Sequence, residues 1–187
     1  MKLKGENIYV KLVEESDVEA LMKLEVDNKD FFQMFTGKRD ESFYTVEGQI
    51  QRVQSAIKAK NEDREYLFLI QESEKVIGEV ILSEVVRENL QSCWIGYFLD
   101  KAHNRKGYMT EAVKLVVNYA FQELKLHRIE AGVMPFNTGS MKVLLKSGFH
   151  KEGIAKKNVQ INGNWEDHQI LAIVNEQKTV AEEGKKK

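Results

Sequence analysis

Residues 103–112 form a polar loop containing a single glycine, Gly107, between an apolar run at 93–99 and an amphipathic stretch that continues to about residue 124. A strand that turns straight into a helix through so short a loop aims several unpaired backbone N–H groups at one spot. The helix dipole makes that spot partially positive, and Arg105 and Lys106 add full charges beside it. The segment therefore reads as a phosphate cradle, or else as an ordinary strand-to-helix connection. No G-x-x-x-x-G-K-[ST] and no G-x-G-x-x-G occurs in the chain, which disfavours nucleoside triphosphates and dinucleotides as ligands.

A second segment, residues 134–149, follows an expected strand at 128–133. Pro135 and Asn137 mark a turn, Met141, Leu144 and Leu145 recur at helical spacing, and Gly148 supplies the left-handed residue that ends a helix. The loop around Gly107 together with N-x-x-S (Asn137 to Ser140) and the later G-F pair (Gly148, Phe149) resembles the two cofactor motifs of the GNAT superfamily of acyl-CoA N-acyltransferases, in the branch that acetylates ribosomal-protein N-termini. The superfamily's loop pattern is [Q/R]-x-x-G-x-[G/A]; here Asn104 holds the first place, Gly107 the glycine and Met109 the last, so two of these three differ.

The resemblance implies acetyl-CoA as co-substrate and no metal. It assigns the diphosphate to Asn104, Arg105, Lys106, Gly107, Tyr108, Met109 and Thr110, and the pantetheine arm to Asn137, Ser140 and the backbone of Tyr97, Phe98 and Leu99. Many members protonate the departing thiolate with a tyrosine seven residues after the asparagine, where this chain has Leu144. The ribosomal-protein branch uses a serine three residues after it, and that is Ser140. Its hydroxyl otherwise serves as an ordinary first-turn cap. Glutamate bases of relatives match Trp94 and Val159 here, and Glu79, Glu84, His103 and His168 stay open without preference. Lys142 and Lys146 read as solvated charge or as contacts to the 3′-phosphate, and Glu111 as a helix-end or structural carboxylate.

The chain of 187 residues, 42% hydrophobic, suffices for one sizeable core, so a single domain at 1–174 and a frayed tail at 175–187 are expected. The one cysteine, Cys93, lies in an apolar run, leaving no disulfide framework or zinc site. No stretch approaches a membrane span and residues 1–6 lack a signal-peptide core, so the expected location is cytoplasmic. A net charge of −1 argues against nucleic-acid binding. Residues 1–100 carry 13 basic and 20 acidic side chains, residues 101–187 carry 15 and 9. The positive half suits a polyanionic cofactor and the negative half a cationic amine, although Lys185, Lys186 and Lys187 supply half of the positive excess.

Hydrophobic patterning predicts strands at 8–13, 66–71, 76–86, 91–99, 128–133, 149–159 and 165–174. Helices are expected from a capping box at Ser16 to Glu19 through about 26 and from Thr45 to about 60. The aromatic segment 27–44 is either a wall of the acceptor site or a staple for the first helix. The order matches the resembled fold, an α/β domain with a mixed, mainly antiparallel sheet of about seven strands, helices on both faces and a splay between the fourth and fifth strands. The activity implied is acetyl transfer to an N-terminal α-amine. A small-molecule amine acetyltransferase and a non-catalytic acyl-CoA-binding module are the alternatives, and a homodimer is compatible with the resemblance.

Overall fold

Strand β3 (Tyr66–Glu72) explains why helices cover both faces of the sheet. Its side chains alternate between two separate apolar clusters, with Tyr66, Phe68 and Ile70 on one face and Leu67 and Leu69 on the other. Both sets are buried, so each face must be roofed. Against the first lies α4 (Tyr108–Gln122), whose Met109, Ala112, Val113, Val116, Val117 and Ala120 form one buried stripe. Against the second lie α1 (Val18–Asp27), the short α2 (Lys29–Gln33) and α3 (Val46–Asn61), contributing Leu21, Leu24, Phe32, Val53 and Ala56.

The computed structural model describes residues 1–176. The remaining strands are β1 (Lys2–Lys4), β2 (Tyr9–Leu12), β4 (Lys75–Val86), β5 (Ser92–Leu99), β6 (Arg128–Val133), β7 (His150–Ile161) and β8 (Asn164–Val174), and α5 (Thr138–Lys146) lies between β6 and β7. The sheet order is β1-β2-β3-β4-β5-β6-β8-β7, and every pairing is antiparallel except β5 with β6. That parallel pairing spans only Ser92, Cys93 and Trp94 against Arg128, Ile129 and Glu130. Beyond it β5 stays with β4 as far as Leu99, and β6 stays with β8 as far as Val133. The expected splay is present, and it divides the sheet into halves β1–β5 and β6–β8–β7.

Four local expectations are corrected. The sheet has eight strands because Lys2–Lys4 pairs with β2 as an added edge, too short and charged to show alternation. A 3-10 turn, Glu15–Asp17, leads into the first helix, and its capping box joins Glu14 and Asp17 rather than Ser16 and Glu19: the Asp17 carboxylate, paired with Lys11 at 2.9 Å, accepts the Glu14 N–H at 2.8 Å. The aromatic segment is partly helical, as α2. Asn175, placed in the tail by sequence, is buried and donates its N–H to the His127 carbonyl at 2.8 Å; residues 177–187 of that tail lie outside the described residues. No helix of the described residues is long and apolar enough to cross a membrane.

The two halves meet again at the sheet's far side. Gln33, at the end of α2, donates its amide to the Asn162 side-chain oxygen at 3.0 Å, and the Asn162 amide donates to the Gln33 carbonyl at 3.0 Å.

Beneath α1 and α3 the apolar cluster gives way to a buried ionic group. Glu25 is fully buried and receives Arg39 at 2.6 Å and Arg52 at 3.1 Å, while Arg52 also binds Glu79 at 2.7 Å. Burial, with the neighbouring Glu79 charge, pushes the Glu25 carboxyl above the usual carboxylate range, against the pull of the two arginines. Removing Arg52 leaves Glu79 buried without its ionic partner and Glu25 with Arg39 alone. Arg52→Ala is expected to cost about 3–5 kcal/mol, read by urea unfolding at pH 7; a loss below about 1 kcal/mol would mean that the group relaxes into water.

Candidate active site

One wall of the split is the loop between β5 and α4. Asp100 accepts the N–H of Ala102 at 3.2 Å and starts a single 3-10 turn, Lys101–His103. Two of the next four residues are left-handed, Arg105 at φ 67° and Gly107 at φ 84°, and Gly107 adopts that conformation without strain. Helix α4 then begins with no side-chain cap, so the N–H groups of its first turn face out of its end. The loop is braced from below. His103 is buried with Nδ1 2.9 Å from the Asp100 carboxylate and Nε2 3.2 Å from Glu72, and the Tyr108 hydroxyl donates to the same Glu72. That hydroxyl, with Lys106 and His103 nearby, holds the Glu72 carboxyl below its ordinary value.

Glu111, in the same first turn, faces away from the split. It accepts the backbone N–H of Asn7 at 3.0 Å and its side-chain amide at 3.1 Å. A Cβ on Gly5 would stand 1.9 Å from the carboxylate, so only glycine permits this approach. The structural reading of Glu111 holds: it hangs the β1–β2 turn on the helix that carries the loop.

The opposite wall is α5. The Asn137 side-chain oxygen accepts the N–H of Ser140 at 3.1 Å and caps the helix. Ser140 Oγ lies 2.8 Å from the Tyr97 hydroxyl, which also reaches the Ser140 carbonyl at 3.2 Å. Leu144, at the place of the alternative tyrosine, is fully buried in the core.

Between the walls is a cleft of about 540 Å³. It gathers Tyr97, Phe98, Leu99, Asn104, Arg105, Gly107, Tyr108, Met109, Thr110, Asn137 and Ser140, nominated from three separate stretches of sequence. Lys106 is not on its lining; its ammonium sits 5.5 Å from the Tyr108 ring centroid. Lys142 and Lys146 do line it, as do Gly139 and Val143. The aromatic segment divides: Phe32 is buried against the core as well as touching the cleft, while Phe31 and Phe35 are wall.

Among the described residues, no Asp, Glu or His lines this cleft. Glu79 is gripped by Arg52 at 2.7 and 2.8 Å, and His103 is held between two carboxylates. His168 is buried with Nδ1 donating to the Glu166 carbonyl at 3.2 Å, and Glu84 is exposed on β4. Trp94 lies within the β5–β6 pairing and Val159 on the exposed β7. Burial pushes the Cys93 thiol up to about 12, which leaves it inert.

A half-split sheet with a helix N-terminus at its mouth suits a long ligand that carries an anionic group. Residues 7–150 match the acetyltransferase (GNAT) domain family, and the chain belongs to that family. It is 58% identical over 175 residues to the probable N-acetyltransferase YjcK of Bacillus subtilis, covering 92% of this chain and 97% of that one. The crystal structure of the ribosomal-protein-S5-alanine acetyltransferase from Vibrio fischeri superposes with a TM-score of 0.90 at 32% identity, covering 94% and 97%. Mycobacterium smegmatis RimJ, solved in complex with CoA-disulfide, gives 0.87 at 26% identity over 91% and 83%. The protein is an N-acetyltransferase.

The Glu111 tether sets a pH dependence. Partial burial works to raise this carboxyl, but the N–H groups of Asn7, Glu6 and Ile8 and the Asn7 amide outweigh it and hold it low. A depressed carboxyl contributes stability above its unfolded value of about 4.3 and loses it as pH falls through the lower folded value. Glu111→Ala is expected to cost about 1–3 kcal/mol at pH 7. In urea unfolding the gap from wild type should close below pH 4; a gap independent of pH would refute the tether.

Proposed function

We propose that this enzyme acetylates the α-amine of protein N-termini, ribosomal proteins among them, through a direct ternary complex. Acetyl-CoA is the acetyl donor. The uncapped start of α4, with Arg105 beside it, suits the diphosphate, and the unpaired edge of β5 from residue 95 onward suits the amides of a pantetheine arm, which would add to it as an extra strand. Backbone N–H groups freed by the split are available to the oxyanion, and Ser140 is the acid for the departing thiolate.

The observation that carries the choice of acceptor is the cleft lining. Among the described residues no carboxylate or imidazole lines the cleft to take a proton, so an amine that is already partly neutral suits it. An α-amine near 7.7–8.0 is about a tenth neutral at pH 7, whereas a lysine-type amine near 10.4 is neutral only about once in two thousand. The lining's charged side chains are all cationic (Arg105, Lys142, Lys146), which also disfavours polyamines and aminoglycosides. None of the acidic side chains described among residues 1–100 lines the cleft; Glu25 and Glu79 face buried arginines, and Glu72 and Asp100 brace the loop. The names of the relatives, an S5-alanine acetyltransferase and a RimJ, support the same acceptor class.

CoA release followed by thiol titration tests this on N-terminal ribosomal-protein peptides, polyamines and aminoglycosides. Turnover is expected on α-amino peptides alone, with kcat/KM rising about tenfold per pH unit below about 7.7 and flattening above it, as the peptide amine titrates. Ser140→Ala should lower kcat about tenfold, since a thiolate leaves readily without full protonation. Faster turnover on polyamines than on peptides would overturn the assignment.

A further inference from the structure

A serine by itself is a poor acid for this step. An aliphatic alcohol holds its proton about as tightly as water, near 15.7, whereas a thiol releases its proton near 8.5. Transfer from Ser140 to a thiolate therefore runs uphill by about seven powers of ten. Something behind the serine must share the load.

One group is placed to do so. The Tyr97 hydroxyl is 2.8 Å from Ser140 Oγ and 3.2 Å from the Ser140 carbonyl, and both residues line the cleft. A phenol, ordinarily near 10, is a far stronger acid than an alcohol. Burial raises Tyr97 above that value, with the Ser140 contact opposing it, so the phenol stays protonated across the working range.

We propose that Tyr97 is a positioning residue acting through Ser140: its hydroxyl donates to Ser140 Oγ, frees the serine's own O–H to face the cleft, and replaces the proton the serine gives up. This deepens the reading above and rests on Ser140 as the acid.

Two proton arrangements satisfy the contacts. In one, Tyr97 donates to the Ser140 carbonyl and the serine proton is committed to the Tyr97 oxygen. In the other, Tyr97 donates to Oγ and the serine proton is free. Negative charge growing on sulfur draws the pair into the second. The C–S bond of the thioester then breaks with its electron pair on sulfur, the Ser140 proton passes to sulfur to give the thiol, and the Tyr97 proton passes to Oγ. The proton shed by the acetylated amine, carried by water, returns the phenolate to phenol. The enzyme ends as it began.

Tyr97→Phe keeps the ring and removes only the hydroxyl. With an alanine-initiated peptide as acceptor, kcat and the KM for acetyl-CoA are measured for wild type, Tyr97→Phe, Ser140→Ala and the double variant. Calorimetric affinities for CoA and for desulfo-CoA, which lacks the sulfur, are measured from pH 7 to 10 without any acceptor. Tyr97→Phe should lower kcat about tenfold with KM within twofold, and should add nothing in the Ser140→Ala background. The gain in CoA affinity as its thiol ionises, absent with desulfo-CoA, should shrink in Tyr97→Phe. A multiplicative loss in the double variant, a raised KM at constant kcat, or an unchanged pH-dependent gain overturns the proposal. Wild type that binds CoA but turns over no peptide overturns the acceptor assignment instead, and the CoA arm still decides the pair. Ser140→Ala indistinguishable from wild type, or no CoA binding by wild type, removes the acid or donor reading and the pair with it.

Discussion

The pairing of β5 with β6 stops after three residue pairs, and the site follows from that early stop. Each strand keeps its other neighbour, so neither unravels, yet from residue 95 onward β5 presents backbone groups with no strand opposite. Buried backbone polar groups demand partners. The crossover through α4 meanwhile brings a helix N-terminus to the carboxyl end of β5, where open sheets with parallel crossovers tend to bind ligands. One discontinuity thus supplies strand-like hydrogen bonding, a partial positive charge and a gap at the same place.

Charge is distributed to protect that arrangement. Carboxylates near the split are occupied: Glu25 and Glu79 by arginines, Glu72 and Asp100 by His103 and Tyr108, Glu111 by the β1–β2 turn. What faces the cleft is cationic or neutral. An anionic ligand therefore meets little repulsion, at the cost of leaving no side-chain base among the described residues that line the cleft.

Much of this was legible in the chain because the two motifs carry backbone information. Gly148 and the turn at Pro135 and Asn137 specify a left-handed helix stop and a helix start, both local events, and both formed as read. Alternation in β3 and the stripe on α4 likewise placed the layers. β1 and α2 escaped, because their three and five residues show too little of a period. The Glu25–Arg52–Glu79 group escaped for another reason: its members are each 27 residues apart and look, on their own helices and strand, like solvated charges. Tyr97 and Ser140 are 43 apart, and only the fold makes neighbours of them. Asn175 was misjudged because burial of a polar end depends on the His127 carbonyl it meets.

The Gln33–Asn162 contact has a mechanical meaning once the sheet is seen as two halves. Three parallel residue pairs join the halves within the sheet, and a reciprocal pair of exposed amide hydrogen bonds ties α2 to the β7–β8 turn. Such bonds are worth about 0.5–1.5 kcal/mol each, a weak tie beside the strand pairing, which is set in the apolar core through Cys93 and Ile129. The two joints between the halves are therefore unequal in strength.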